Sequence, residues 1–381
     1  MERHLALQAL SDRLESEIQR VSPPDHLQRL DETKTFDHEL HTAFTRLGVW
    51  GLGIPMESGG QGGSLLEQLH VLRACGQYAT FMGMFCVVHY LCSRILNHNA
   101  NDRQRVQYLE PLCRGSLKAA FCLTEAAGGT DILRAMETRA ESTGTRYVLN
   151  GSKAWISGAS FADFFIVVAR TAPGKTDGVS MFIVPRETPG ITIQRTPTFA
   201  INAYEACEVD FHDVEIPQEN LLGTLGQGFR QLIEILNAER LCAAGNALGI
   251  TKGALKAASD YVAQRHAFNK TLSEMQAVQH KLADVATAYE LAWTYLADTA
   301  RKHERNESID VASSMIKIAS VDAAKLATDV GMEVMGANGF LLSNPMQRYY
   351  RDYRLYVIAP LNNQMSRSLI AERYFGFKRA S

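Results

Sequence analysis

Glu239 stands directly before Arg240 in the stretch Asn237-Ala238-Glu239-Arg240. Moved into an apolar pocket, such a carboxyl loses hydration, its pKa rises, and it becomes a stronger base. On a helix surface the same two neighbours form an ordinary solvated ion pair. Arg265 offers a flat, permanently charged fork that suits a pyrophosphate. An Arg closing a helix is also commonly a solvated charge opposed to the helix dipole. Thr130 follows Gly128 and Gly129, and residues without a Cβ let backbone come close to a ligand. Trp155 lies in a β-rich run, where a Trp ordinarily packs in the core. His89, in the apolar stretch FCVVHYL, reads as a satisfied core histidine, with a polar contact to a pocket as the rarer alternative. The seven cysteines (75, 86, 92, 113, 122, 207, 242) are odd in number and scattered. None has CxxC or Cys/His ligand spacing, so they read as buried thiols of a reducing compartment, and no metal site is expected.

The elements that must position these groups fall into three zones. A length of 381 residues implies two or three domains, each able to bury a core. With 39 Lys plus Arg against 41 Asp plus Glu, the charge of −2 leaves no basic field for nucleic acid. Charged residues at 21% and hydrophobic ones at 46% are globular values, which excludes extensive disorder. No run approaches ~18 consecutive apolar residues, so no membrane span is expected. The start, MERHLALQALSDRLESEIQ, reads as an amphipathic helix of both charge signs rather than a signal peptide, and the expected location is cytoplasmic.

Residues 1–118 show helical periodicity, broken by Pro23-Pro24 and by the glycine-rich stretch 58–63. Residues 119–222 become short β-rich runs separated by Gly, Pro and Asp turns. Asn150-Gly151 predicts a hairpin turn there, because type I′ geometry needs positive φ at both central positions. Residues 223–381 return to helices over 229–264, 275–301, 312–335 and 351–374, whose broad apolar faces predict a bundle. The fold class is α+β: a β domain inserted between two helical ones.

The motifs then name a family. FCLTEAAGGTDILRAMETRAE, followed by NGSKAWISGAS, resembles the acyl-CoA dehydrogenases. The resemblance continues in order through FHDVEIPQENLLG, AERLCAAGNALG, RHAFNK with Gln276, VMGANGF and RDYRLY. It implies a helical N-terminal domain, a middle β domain and a C-terminal four-helix bundle. It also implies FAD and a reaction in which a base takes the α-proton of an acyl thioester while the flavin accepts the β-hydride. On that resemblance Phe121, Leu123 and Thr124 hold the pyrimidine side of the flavin, Trp155 packs on its rings, and Ser157 reaches its N5. Thr130 and Arg240 touch the CoA arm. Arg265, Phe268 and Gln276 reach the FAD of a neighbouring subunit, which implies a homotetramer or homodimer. Asn362 and Gln364 take positions that contact FAD. Glu333 stands where the family has a neutral Gln near the adenosine half, and a carboxylate beside a diphosphate is unfavourable unless it bonds a ribose or turns away. Ala337 replaces the second Gly of the same motif.

The decisive departure is near the C-terminus. Family members read Y-E-G-T there, and that Glu is their base; here RDYRLY and RSLIAER anchor an ungapped match that places Pro360 at its position. Proline takes no proton and has no N–H, although that N–H holds the thioester oxygen in the family, and losing such a donor costs about 10²–10³ in rate. Asn362 or Asn363 is an alternative donor. The isovaleryl-type subgroup places its base on the first bundle helix instead, at the position of Glu239. The expected activity is therefore α,β-dehydrogenation of an acyl thioester, on CoA or a carrier protein, with Glu239 as base. Electron-transfer flavoprotein or oxygen is the expected acceptor. The alternative is a relative with other chemistry on the same site, of desulfinase or flavin oxidase and monooxygenase type.

Overall fold

A computed structural model of the chain describes residues 2–174 and 176–378. The N-terminal helices are α1 (Glu2–Val21), α2 (Pro24–Thr33), α3 (His38–Arg46), α4 (Leu65–Tyr78), α5 (Thr80–Asn99) and the short α6 (Asp102–Gln104) and α7 (Glu110–Cys113). Pro24 occupies the first turn of α2, where its missing N–H costs nothing. Ser64 and Glu67 close a capping box on α4. Helix α5 is almost wholly buried, as its unbroken apolar run requires.

Eight strands form one sheet: β1 (Ala119–Cys122), β2 (Arg139–Ser142), β3 (Arg146–Ser157), β4 (Phe164–Arg170), β5 (Val179–Pro185), β6 (Ile191–Thr196), β7 (Ala206–Pro217) and β8 (Leu221–Leu222). Their order is β6-β7-β3-β2-β4-β5-β8, with β1 parallel to β4. Strand β4 reads FFIVVAR and is covered on both faces, so a continuous apolar run replaces alternation. The short helix α8 (Ile132–Ala135) follows the loop after β1.

The bundle comprises α9 (Gly228–Gln264), α10 (Gln276–Glu304), α11 (Asp310–Met335), α12 (Pro345–Ile358) and α13 (Asn363–Phe375). A two-stranded hairpin, β9 (His266–Ala267) with β10 (Lys270–Thr271), joins α9 to α10. Helix α9 lies close against α4: a Cβ at Gly249 would fall 2.3 Å from the Arg73 carbonyl oxygen, which explains the glycine. The architecture is thus a helical domain, a middle β domain and a helical bundle.

Two expectations are corrected. Asn150-Gly151 is no hairpin turn; it lies inside β3, where the register with β7 shifts between Leu149 and Gly151. The Asn150 side chain is engaged by Asp213, and a Cβ on Gly151 would stand 2.6 Å from Thr138 Cα, so the glycine serves a close approach. The helix over 351–374 is two helices, because the Pro360 region breaks the backbone ladder between α12 and α13. All seven cysteines are buried and free, and no cluster that could hold a metal is present among the described residues. No helix among the described residues is long and apolar enough to cross a membrane.

Candidate active site

The segment after β1 is locked to β3 by a buried ion pair. Lys153 is 0% exposed, and its Nζ donates to Glu125 Oε1 at 2.8 Å and to the Leu123 carbonyl at 3.1 Å. Glu125 also accepts the backbone N–H groups of Glu137, at 2.6 Å, and Thr138, at 3.1 Å. Burial pushes the Glu125 carboxyl up, but Lys153 and these donors outweigh it and leave the pKa lowered. The Ala154 N–H meets the Thr124 carbonyl at 2.9 Å, so Leu123 and Thr124 lie directly beside Trp155.

Trp155 is not core. The β3–β7 register shifts between Lys153 and Ile156, Trp155 adopts φ +56°, and its ring is left 52% exposed. A strained φ at a non-glycine residue on a bulge is how strands re-aim a side chain at a site. The flat apolar ring beside polar backbone and the Thr124 hydroxyl has the chemistry of an isoalloxazine partner, and the residues fit FAD. Phe121 is half-buried in register with Ile166, and Ser157 closes β3.

Glu239 and Arg240 sit on α9, both half-buried. The Glu239 carboxylate takes no hydrogen bond among the described residues. Burial raises its pKa to about 7, while Arg240 and then Arg94 pull it back. Arg240 donates to Asn237 Oδ1 at 2.5 Å and Ser313 Oγ at 3.3 Å, a frame that fixes its direction across α11. The solvated ion pair that adjacency allowed is therefore not what forms.

Pro360 lies in the bend between α12 and α13. Asn362 caps α13, accepting from the Met365 N–H at 2.8 Å, and its Nδ2 donates to Thr130 Oγ1 at 2.7 Å. The loop after Gly128-Gly129 and the loop after Pro360 are thus brought together. Gln364 is exposed on α13.

Arg265, Phe268 and Gln276 project from the α9–α10 connection, all exposed, with Phe268 at 89% and φ +53°. No hydrogen bond among the described residues joins them to the Trp155 region of the same chain. Glu333 turns outward and pairs with Lys281, which neutralises the carboxylate that looked awkward in sequence. His89 is core: it is 2% exposed, its ring bonds the Trp50 carbonyl at 2.8 Å, and burial lowers its pKa to about 4.

Sequence reasoning passed over Lys153 and Lys317. The signal was available in both: a lysine inside an otherwise apolar strand or helix face needs a buried partner.

Comparison with known proteins gives the same frame. Family profiles for the acyl-CoA dehydrogenase N-terminal, middle and C-terminal domains match residues 6–116, 120–214 and 226–375. The rat mitochondrial short-chain specific acyl-CoA dehydrogenase is 32% identical over 90% of this chain and 84% of its own length. The acryloyl-CoA reductase (NADH) of Anaerotignum propionicum is 30% identical over 90% of this chain and 88% of its own. The butyryl-CoA dehydrogenase structure from Megasphaera elsdenii superimposes with a TM-score of 0.93 at 27% identity, covering 98% of each chain. The chain belongs to the acyl-CoA dehydrogenase family, whose members are FAD-dependent oxidoreductases of CH–CH donors.

Proposed function

We propose that the chain dehydrogenates a short acyl thioester across Cα–Cβ, with Glu239 taking the α-proton. The observation that carries this reading is the environment of Glu239. The half-buried side chain has no hydrogen-bond partner among the described residues, and burial raises its pKa to about 7, where it is both substantially ionised at neutral pH and more basic than a free carboxylate. Pro360 supplies neither a carboxylate nor an N–H at the family's usual base position.

FAD, when bound, supplies the acceptor for the β-hydride. Trp155, Leu123 and Thr124 orient the ring system, with the Lys153–Glu125 pair holding these residues in place. Arg265, Phe268 and Gln276 reach the FAD of a neighbouring subunit in a homotetramer or homodimer; their exposure in the single chain supports that assignment. On the family resemblance Glu333, here paired with Lys281, belongs near the adenosine half of FAD, and Asn362 and Gln364 take positions that contact FAD. Thr130 and Arg240 hold the pantetheine arm, carried by CoA or a carrier protein. The acyl groups in the names of the relatives, acryloyl, butyryl and short-chain, support a short chain. Electrons pass on to an electron-transfer flavoprotein or to oxygen.

The absence of a proton acceptor at Pro360 also favours a second reading, in which the thioester site performs other chemistry of desulfinase or flavin oxidase and monooxygenase type. Anaerobic mixing of the yellow protein with short and branched acyl-CoAs separates the two. Bleaching of the flavin that is lost in Glu239→Gln is the expected result. Bleaching that survives this substitution removes Glu239 as base, and product release without bleaching selects the second reading.

A further inference from the structure

Lys317 on α11 is 0% exposed, yet its partners are neutral. Its ammonium donates to the Leu361 carbonyl at 2.7 Å and to Asn363 Oδ1 at 2.8 Å. Among the described residues it forms no ion pair. Arg240 on α9 and Arg367 on α13 face it with the same charge, and Asp322, on α11 itself, is the acid that acts on it from a distance. Enclosing an ammonium without a carboxylate is unfavourable, and a neutral donor would satisfy the same two oxygens. The location says what the charge is for. Leu361 directly follows Pro360, and Asn362, between the two tethered residues, reaches across to Thr130. Adjacent loop residues are therefore bonded to α11 on one side and to Thr130 of the β domain on the other.

We propose that Lys317 is the positioning residue of the Pro360 loop, holding residues 360–363 over the thioester path and placing a positive charge beneath it that serves in place of the N–H Pro360 lacks. The inference rests on the dehydrogenase reading only for the second role. In the resembling family the N–H at the position of Pro360 meets the acyl oxygen, so a cation tethered to the residues just after Pro360 would oppose the negative charge that develops there once Glu239 removes the α-proton, and fixed charges in a site shielded from water stabilise such charge without reorganisation. Burial, followed by Arg240 and Arg367, lowers the Lys317 pKa to about 8, with Asp322 opposing. The Lys317 charge is therefore lost within an accessible pH range.

The test uses the FAD-loaded full chain as wild type, Lys317→Met and Lys317→Gln, the last keeping a donor without the charge. Amide hydrogen exchange over 361–366 is expected to rise at least about tenfold in Lys317→Met. Unchanged exchange overturns the tether, and this measurement needs no turnover. With a short acyl-CoA, wild-type kcat/KM is expected to fall above about pH 8. Both variants are expected to lose that alkaline limb and to sit about 10- to 100-fold lower at pH 7, a loss of the size that misplaced catalytic geometry causes. A wild-type profile flat to pH 10, or an alkaline limb retained in Lys317→Gln, overturns the role of the charge. If wild type is not reduced by any acyl-CoA, the dehydrogenase reading and the charge role fail together, while exchange still decides the tether.

Discussion

Lys153 and Lys317 are both fully enclosed, one on β3 in the β domain and the other on α11 in the bundle. Lys153 has a carboxylate at 2.8 Å, itself satisfied by two backbone donors. Lys317 has only a carbonyl and an amide. In the first, burial cost is met by a complete network, and the pair acts as a rigid brace. In the second, charge is left uncompensated and its pKa falls to about 8. Burial lowers the Lys153 pKa as well, with Glu125 opposing it, whereas the bundle carries Lys317 at about 8 and Glu239 at about 7.

The largest test of that contrast is Glu239→Gln. Loss of a positioned base should cut the rate of flavin bleaching by about 10²–10⁴ without altering FAD content. Next comes Lys153→Met, which strands Glu125 in the interior. Removing one partner of a buried pair costs about 3–5 kcal/mol, read in denaturant unfolding, and Lys153→Met with Glu125→Leu should regain much of it. Full stability in the single variant would mean that the brace is dispensable. Arg265→Ala should weaken FAD retention about tenfold, as loss of a charged hydrogen bond to phosphate does, with rates per bound FAD less affected. Wild-type kcat/KM should rise with pH through about 7, because the base works only when deprotonated. The same raised pKa makes a stabilising contribution that is complete below 4.5 and lost as pH climbs through about 7, so Glu239→Gln should flatten stability across that window. The smallest effect is Arg94→Met: deleting a cation that favours the carboxylate moves the acidic limb further toward alkaline pH.

The three-zone fold was readable because hydrophobic periodicity changes twice along the chain, and the flavin-side motifs because their glycines, Thr124 and Trp155 sit in contiguous stretches. What the sequence hid was pairing at a distance. Lys153 and Glu125 are 28 positions apart, and Lys317 and Leu361 are 44 apart, so no local pattern joins them. Glu239 was ambiguous for another reason: adjacency to Arg240 looks alike on a wet helix face and a dry one, and only packing against α5 and α11 distinguishes them. Asn150-Gly151 misled because its glycine answers to a neighbour, Thr138, rather than to a turn.

The cysteines carry a practical consequence. All seven lie inside the protein, and burial lifts the thiol pKa of Cys92, Cys113 and Cys122 among others. Alkylating reagents attack the thiolate, so the native molecule should stay unlabelled while any opened form is trapped. Uptake of such a reagent becomes an internal clock for unfolding, and one cysteine engineered onto the surface would be the sole attachment point for a probe.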